Sequence, residues 1–274
     1  MPGTLFIIGT PIGNLEDISF RAVRVLREAD RIACEDTRHT RRLLEHCGID
    51  KPLLSYHEHN EKERTAELLR ALEEGVSVAL VSDAGTPLIA DPGYRIVHAA
   101  RERGIPVSPI PGPSAIMAAL SASGLATDAF LFGGFLPAKA AARRRTLEVW
   151  RSLDATLVFY EAPHRMIESL RAIGEILGSR RVVVARELTK IHEEFLEGRA
   201  ASIADTLAAR PAVKGEFTIL IARDEPSGDS GPANIEAEVQ ALISAGTPRM
   251  DAFKAVARRH GLSKRDVYRR VEGG

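Results

Sequence analysis

Short apolar runs that end in Gly, Pro or Asp recur along the chain, and a stretch of helical periodicity follows most of them. Buried strands of parallel sheets are short apolar runs of this kind, whereas the helices that cover a sheet repeat their apolar residues about every 3.6 positions. The alternation therefore predicts an α/β fold. At roughly 150 residues per domain, the 274 residues suffice for two such domains.

The apolar runs fall into two sets, and we expect each set to form the sheet of one domain. The predicted strands are Leu5 to Ile8, Arg31 to Cys34, Val76 to Val81, Val107 to Ile110, Thr156 to Tyr160, Arg181 to Ala185 and Phe217 to Ala222. The predicted helices include residues 19–29, 61–73, 165–177 and 202–208. These sets predict an N-terminal α/β domain over residues 1–117 and a C-terminal α/β domain over residues 118–223.

The last fifty residues differ in composition from the rest of the chain. Residues 224–233 are turn-forming residues without an apolar pattern, which predicts a flexible linker. Residues 234–274 carry eight Lys and Arg against five Asp and Glu, and they predict a small helical tail. Within it, the segment from Ala252 to Tyr268 resembles a helix-turn-helix.

Composition excludes several classes of protein. Thirty-seven basic residues balance thirty-seven acidic ones, so the whole molecule is not a basic cover for nucleic acid, and local patches must supply any such affinity. Aromatic residues at 5% are too few for a surface of base-stacking platforms. Cys34 and Cys47 form no CxxC or Cys/His cluster, which argues against a disulfide scaffold and a metal site. The first residues lack a basic segment and a long apolar run, so we expect a cytoplasmic protein without a membrane segment.

Five segments share one design, in which a strand is followed by a turn that carries Gly, Pro or ionisable residues. They are residues 9–17, 82–93, 109–115, 160–165 and 185–194. Ligands of open α/β sheets lie beyond the carboxyl ends of the strands, so we expect these turns to meet at a common cleft. The first segment is neither GxGxxG nor a GK[ST] loop, which excludes a dinucleotide fingerprint and an ATP-binding P-loop.

The glycine-containing turns have a ligand-binding interpretation and a purely structural one. Asp83, Ala84 and Gly85 follow a strand directly, and their small side chains let a ligand approach the backbone closely; a rigid connector is the alternative. Ser114 stands at the start of a predicted helix, where amide donors suit a carboxylate or a hydroxyl group, although capping alone explains it equally well. For Glu193 and Glu194 we favour a solvated loop.

Seven motifs in this order carry a resemblance to a known family: GTPIGNLED, CEDTRHT, SDAGTPLIADPG, PGPSA, YEAPHR, ARELTKIHEE and KGEF. From about Gly3 to Ala222 the chain resembles the ribosomal small subunit methyltransferase I branch of the tetrapyrrole methylase superfamily. The resemblance implies a two-domain α/β enzyme that binds S-adenosylmethionine in the cleft between its domains, as a homodimer. It also implies 2′-O-methylation of a cytidine in the decoding region of bacterial 16S ribosomal RNA, within the small ribosomal subunit.

Transferred position by position, the resemblance implies a set of donor-binding residues, largely through their backbone. They are Thr10, Pro11, Asp83, Ala84, Gly85, Thr86, Ser114, Ala115, Tyr160, Leu188 and Gly215. The first loop of the cobalt-corrin and sirohaem relatives is Gly-rich, whereas here it reads TPIGNLED, which argues against a macrocyclic substrate. The polar and partly basic segment 34–41 suits an RNA better.

Catalytic and RNA-binding candidates come from the charged turns and the tail. A general base is expected among Lys190, if burial lowers its pKa, Glu187 and His164, and the sequence does not decide among them. Arg38, Arg165 and Arg186 are candidates for phosphate contacts, and a structural ion pair explains each of them as well. The candidates of the tail are Arg258, Arg259, Lys264 and Arg265.

Two alternatives from other classes stay open at this point. A small-molecule methylase would act on a tetrapyrrole, and methylation of free uroporphyrinogen without methylation of ribosomal particles would identify it. A noncatalytic nucleic-acid-binding regulator would use the helix-turn-helix-like tail. Failure to bind S-adenosylmethionine would favour that regulator.

Overall fold

The computed structural model describes residues 1–224, 235–260 and 262–272. The chain divides into two compact units, Met1–Asp224 and Glu225–Gly274. Of the predicted linker, residues 225–233 lie outside the described residues. None of the described helices is both long enough and apolar enough to cross a lipid bilayer.

The first half of the larger unit is built on a parallel sheet of five strands. Its strands are β1 (Leu5–Ile8), β2 (Arg31–Cys34), β3 (Leu53–Ser55), β4 (Val78–Val81) and β5 (Val107–Ile110), in the order β3-β2-β4-β1-β5. Its helices are α1 (Phe20–Glu28), α2 (Thr37–His46), α3 (Glu61–Glu73), α4 (Tyr94–Glu102) and α5 (Ala115–Ala122). Helices α1 and α2 cover one face and α3 and α4 the other, so the central strand β4 is buried along its whole length.

The second sheet is mixed, and it follows along the chain. Its strands are β6 (Phe130–Phe135), β7 (Thr156–Glu161), β8 (Arg181–Arg186), β9 (Glu194–Arg199) and β10 (Phe217–Ile221), in the order β6-β7-β10-β8-β9. Strands β6 and β7 are parallel and the other pairs are antiparallel. Helices α6 (Ala140–Trp150), α7 (Met166–Leu177) and α8 (Ala200–Ala208) cover one face.

The other face of the second sheet packs against elements of the first half of the chain. Ile12, from the turn after β1, and Ile116 and Leu120, from α5, join Val158 and Leu220 of the second sheet in one apolar cluster. This cluster places the turn after β1 and the start of α5 beside β7 and β10. The α/β class with two sheets and a helical tail, expected from the sequence, is confirmed.

The smaller unit consists of α9 (Ile235–Ser244), α10 (Arg249–Arg259) and α11 (Lys264–Glu272). Val239, Phe253, Val256 and Val267 form the centre of its own apolar core. The pair α10 and α11 spans the segment that resembles a helix-turn-helix.

The structure corrects the sequence interpretation of the segment after β8. Glu194 does not belong to a solvated loop, because it opens β9 and holds Arg210 through two hydrogen bonds of 2.8 and 2.6 Å. Glu193 is exposed, but its carboxylate accepts the backbone N–H of Thr189 at 2.7 Å and closes the turn that contains Lys190. A charged edge strand has little apolar signal, which is why this strand looked like a loop.

Candidate active site

The registers of the two sheets bring the predicted turns to one place. Ile8 pairs with Val81 and with Ile110, and Val81 pairs with Cys34, so the turns after β1, β2, β4 and β5 leave the sheet at the same level. In the second sheet, Phe217 pairs with both Glu161 and Arg186, which aligns the ends of β7 and β8 with the start of β10.

A cavity of about 480 Å³ lies where these turns meet. Its volume is within the range of small-molecule sites. The residues that line it are Ile12, Glu35, Asp83, Ala84, Gly85, Thr86, Ile89, Ala90, Asp91, Ser114, Ala115, Phe135, Tyr160, Glu161, Ala162, Pro163, Leu188, Gly215, Glu216, Phe217 and Thr218. All five turns of the sequence analysis contribute to this wall.

The turn after β1 is fastened to the turn after β4. The backbone of Thr10 exchanges two hydrogen bonds with Gly85, of 2.8 and 3.1 Å, and the Thr10 hydroxyl donates to the Ser82 carbonyl at 3.1 Å. Thr10 and Pro11 are buried and do not line the cavity, so they support its wall, and Ile12 faces the cavity instead. Gly85 adopts φ +78°, which an L side chain rarely does.

Asp83 holds a second turn in place. Its carboxylate accepts the backbone N–H of Asp36 at 3.0 Å, which joins the turn after β4 to the start of α2. Asp83 thus has the connecting role that we left open, and it also lines the cavity. Further along this loop, Leu88 and Ala90 adopt φ +74° and +66°. Such conformations cost on the order of 1–3 kcal/mol each and concentrate at functional sites.

Ser114 occupies the N-cap position of α5, but its side chain makes no capping hydrogen bond. Capping therefore does not explain this serine, whose residue lines the cavity. The turn before it passes very close to the turn after β1. A Cβ on Gly9 would lie 2.8 Å from the Cα of Gly112, so glycine at these two positions permits direct contact of the two backbones.

From the second sheet, Tyr160 and Phe135 face the cavity. The Tyr160 ring packs edge-on against Phe132 at 4.9 Å and against Phe135 at 5.7 Å. Burial, together with the nearby charge of Asp91, raises the pKa of Tyr160 to about 12, so its hydroxyl stays protonated at neutral pH. Tyr160, on β7 of the second sheet, and Asp91, in the loop after β4 of the first sheet, therefore both belong to the wall of this cavity.

Lys190 lies at the edge of the cavity between two carboxylates. Its Nζ is 3.0 Å from Glu187 Oε1 and 2.9 Å from Glu216 Oε2. Burial disfavours the ammonium form, but the hydrogen bonds of Glu216 and Glu187 outweigh it and raise the pKa of Lys190. The condition for a base role of Lys190, a pKa lowered by burial, is therefore not met. Gly215 permits the arrangement, because a Cβ there would lie 2.7 Å from Glu187 Cγ.

Carboxyl groups dominate the charge of the cavity wall. Glu35, Asp83, Asp91, Glu161 and Glu216 line it, whereas none of its lining residues in the described chain is Lys, Arg or His. Burial and the charges of Glu35 and Asp83 raise the pKa of Asp91 to about 6. Burial, followed by Asp83 and Glu58, also raises the pKa of Glu35. Such a wall attracts cations and repels phosphate groups.

The charge of Glu161 is compensated inside the protein, as the charge of Glu216 is by Lys190. Its carboxylate accepts the Ala162 N–H at 2.8 Å, lies 2.7 Å from Arg165 Nη2, and accepts the Ser169 hydroxyl. The structural ion pair is thus the alternative that the geometry favours for Arg165. His164, by contrast, is exposed and outside the lining.

Arg186 and Arg38, the other predicted RNA contacts of the larger unit, are not among the residues that line the cavity. Arg186 donates from Nε to the Lys214 carbonyl at 2.7 Å and lies 3.6 Å from Glu194. Arg38 lies exposed on α2, 2.8 Å from Asp36. Arg258, Lys264 and Arg265 belong to the smaller unit, and the side chain of Arg259 lies outside the described residues.

Sequence reasoning missed several lining residues. Glu35 directly follows β2, and Asp91 lies in the quoted loop, so strand-end carboxylates were a usable signal for both. Phe135 ends β6, which the apolar pattern did not predict, so no signal pointed to it. Metal chemistry gains no support, since no group of three or more His, Cys, Asp or Glu within the described ranges could hold an ion.

Comparison with known proteins adds a family assignment. The family model of the Tetrapyrrole (Corrin/Porphyrin) Methylases matches residues 4–204. A protein from Mesorhizobium japonicum named Ribosomal RNA small subunit methyltransferase I is 48% identical, and the match covers 97% of this chain and 90% of that protein. The protein of that name from Escherichia coli O157:H7 is 45% identical over 97% of this chain and 94% of its own length.

Solved structures share the fold at low sequence identity. A diphthine synthase superposes with a TM-score of 0.63 at 18% identity, covering 80% of this chain and 90% of the other. A uroporphyrin-III C-methyl transferase from Thermus thermophilus, complexed with S-adenosyl homocysteine, gives 0.55 at 19% identity, covering 80% and 97%. At these identities the likeness concerns the fold alone.

Proposed function

The chain belongs to the tetrapyrrole methylase family, and from this premise we propose that it transfers a methyl group from S-adenosylmethionine to ribosomal RNA of the small subunit. The proposed target is the 2′-oxygen of a cytidine in the decoding region of 16S ribosomal RNA. The observation that carries the proposal is near-complete alignment, at 45–48% identity, with proteins named Ribosomal RNA small subunit methyltransferase I. The proposed setting is the cytoplasm, and the proposed assembly is a homodimer.

The residues of the cavity fit the methyl donor. S-adenosylmethionine, when bound, supplies a methyl group on a positively charged sulfur that an oxygen nucleophile attacks in line. The carboxylates of the wall favour a cation, and Gly85 and Gly215 line the cavity without a side chain that would keep a ligand from the wall. Ser114, without a capping bond, offers a hydroxyl. The residues that would hold the donor are Asp83, Ala84, Gly85, Thr86, Ser114, Ala115, Tyr160, Leu188 and Gly215, with Thr10 and Pro11 in support.

Alignment of the two reactants is the main contribution expected from this chain. Holding the 2′-oxygen in line with the transferred carbon supplies roughly 7–11 kcal/mol of the barrier. A group that handles the hydroxyl proton typically adds about 10²–10⁴-fold. The turns that are locked together by Thr10, Gly85 and Asp83 provide the rigid frame that such alignment requires.

Lys190 is the candidate that we favour, because its Nζ lies 2.9 Å from the carboxylate of Glu216, which lines the cavity. Glu216, which lines the cavity, and Glu187 keep Lys190 protonated. An ammonium group there stabilises the negative charge that develops on the 2′-oxygen, and its carboxylate partners accept the proton. Glu187 belongs to the same cluster as Lys190 and Glu216. His164 is exposed and does not line the cavity, so it would have to move to reach it.

Mapping of ribosomal RNA methylation by mass spectrometry tests the proposal. A strain that lacks the gene should lose one 2′-O-methylcytidine of 16S RNA, and purified protein with donor should restore it on isolated small subunits. Uroporphyrinogen serves as the competing substrate in the same assay. An unchanged methylation map, or methyl transfer to the macrocycle alone, would overturn the proposed function.

A further inference from the structure

The cavity wall contains exposed apolar side chains as well as carboxyl groups. Ile89, from the loop after β4, and Phe135, from the end of β6, both line the cavity although 43% and 53% of their surfaces are exposed. Apolar side chains that face a concave site lose contact with water when a flat, apolar ring covers them. The two residues come from different sheets, so a ring held by both would lie inside the cleft.

The carboxyl groups of Glu35 and Asp91 belong to the same wall. Asp91 is two residues from Ile89 in the sequence, and Glu35, Asp91 and Tyr160 all line the cavity. Burial and then the charge of Glu35 raise the pKa of Asp91, in agreement with two neighbouring carboxyl groups. The ring of Phe135 lies 5.7 Å from that of Tyr160. Ile89, Glu35, Asp91, Tyr160 and Phe135 therefore all belong to the lining of one cavity.

Ionised carboxylates accept hydrogen bonds and donate none. Of the two pyrimidines in RNA, cytosine presents an amino group at C4, whereas uracil presents a carbonyl oxygen there. An acidic wall therefore attracts the edge of cytosine and repels that of uracil. The same wall repels phosphates, so the base must leave its stack and enter the cavity with its ribose at the donor, while the phosphates stay outside.

We propose that Glu35 and Asp91 select cytosine by accepting its exocyclic amino group, while Ile89 and Phe135 hold the faces of the base. This subsite deepens the proposed function and rests on it. It leaves the turns around Gly85, Ser114 and Gly215 for the methyl donor.

The test compares small subunits that carry cytidine or uridine at the methylated position. The parent enzyme should prefer cytidine by about 10-fold or more in kcat/KM, the scale of one good base contact. Glu35→Gln and Asp91→Asn introduce an amide donor, so each should lower that preference at least about fivefold with the donor Kd within twofold of the parent's. Glu45→Gln, on the exposed side of α2, is the matched control and should keep the parent's preference.

The apolar sides have their own variants, which keep the proposal testable where an acidic variant does not fold. Ile89→Ala and Phe135→Ala remove exposed side chains, so they should raise the KM for RNA and leave the melting temperature nearly unchanged. An unchanged KM in both would overturn the subsite.

Three further outcomes separate the subsite from the proposed function. A parent enzyme that methylates neither RNA would overturn the proposed function. A selective parent whose acidic variants keep its preference would overturn the subsite alone. A loss of donor affinity in Glu35→Gln or Asp91→Asn would assign the carboxylates to the donor and likewise overturn the subsite.

Discussion

Two arginines that were equal candidates for phosphate contacts stand in opposite surroundings. The Arg165 side chain is 19% exposed and pairs with Glu161, which is fully buried, whereas the Arg38 side chain is 88% exposed beside Asp36. A buried carboxylate that loses its cation is costly, while exposed pairs contribute little. The sequence shows that both residues are charged, but their burial determines whether the charge stabilises the fold or is available to a ligand.

Arg165→Ala should lower the stability of the protein by about 3 kcal/mol, because Glu161 keeps its burial and loses its cation. Arg38→Ala should leave the melting temperature unchanged and reduce the salt dependence of RNA binding by about 0.7 in log–log slope. Thermal unfolding and binding titrations over a salt series measure the two effects. An unstable Arg38→Ala, or one with the full salt slope, would contradict the phosphate contact.

Asp91 should make stability depend on pH. Its pKa of about 6 lies above the ordinary value of 3.8, because burial, Glu35 and Asp83 disfavour its charge. The folded state therefore binds this proton more tightly than the unfolded chain, and the stabilisation that Asp91 gives at low pH is lost as the pH rises through 6. Asp91→Asn should melt at a higher temperature than the parent at pH 8 and at nearly the same temperature at about pH 3, below the ordinary pKa of 3.8. Equal gains at both pH values would contradict this assignment.

Lys190→Ala should lower the single-turnover rate by about 10²–10⁴, with donor affinity nearly unchanged. Because hydrogen bonds raise the pKa of Lys190, a base role requires a rate that increases with pH beyond 9, whereas an ammonium role gives a flat profile there until the lysine deprotonates. Rapid-quench kinetics between pH 7 and pH 10 distinguish the two. A loss below tenfold would move the role to Glu187 or His164.

The turn after β4 requires a backbone conformation that few residues adopt, because Gly85 has a φ of +78° there. Gly85→Val should weaken donor binding more than Asp83→Asn does, because valine resists a φ of +78° and the bridge to Thr10 depends on that conformation. The asparagine keeps an acceptor for the Asp36 N–H. Gly104→Val, at φ +69° with open space around it, is the control for strain outside the cavity. Calorimetric donor affinity equal to the parent's in Gly85→Val would remove this turn from the site.

The strands that periodicity missed all lie at sheet edges. β3 has three residues and follows Pro52, β6 contains Gly133 and Gly134, and β9 is largely charged. Central strands such as β4 are buried on both faces and read as continuous apolar runs, whereas edge strands are short, interrupted or charged. Burial from neighbours distant in sequence stabilises them, and a local pattern does not contain that information.

The prediction of the candidate site was limited in the same way, because a turn could be located only where it follows a predicted strand. The glycine and acidic turns could be placed because each follows a strand that sequence predicted, as with Asp83 after β4 and Tyr160 at the end of β7. Phe135 was not predicted as a site residue because its strand, β6, was not predicted. The raised pKa of Lys190 could not be predicted, because Glu216 is twenty-six residues away in the sequence. Only the antiparallel pairing of β8 and β10 brings the two residues together.

The chain as a whole has no net charge, but its acidic and basic residues are concentrated on different surfaces. The cavity wall carries carboxyl groups, whereas Arg38, Arg41 and Arg42 lie exposed on α2, and the tail has an excess of basic residues. An RNA that is guided by its phosphates is therefore drawn to surfaces outside the cavity, while the cavity suits a cation and a neutral base.

The tail offers the clearest test of this separation, because it has a core of its own. Phe253, Val256 and Val267 are buried among α9, α10 and α11, so deletion of residues 234–274 removes a compact unit with its own core. If the tail docks RNA, the truncated enzyme should bind small subunits more weakly, and its salt slope should fall by roughly 0.7 for each lost phosphate contact.

Donor binding and the methylation rate at saturating RNA should survive this truncation, since the cavity lies in the larger unit. Charge reversal of Arg258 and Arg265, both exposed, separates docking from packing, because it should reproduce the weaker binding at an unchanged melting temperature. A truncated enzyme with the full salt slope and the parent's KM would show that the tail does not dock RNA. A collapse of its thermal stability would instead make the tail a packing element of the larger unit.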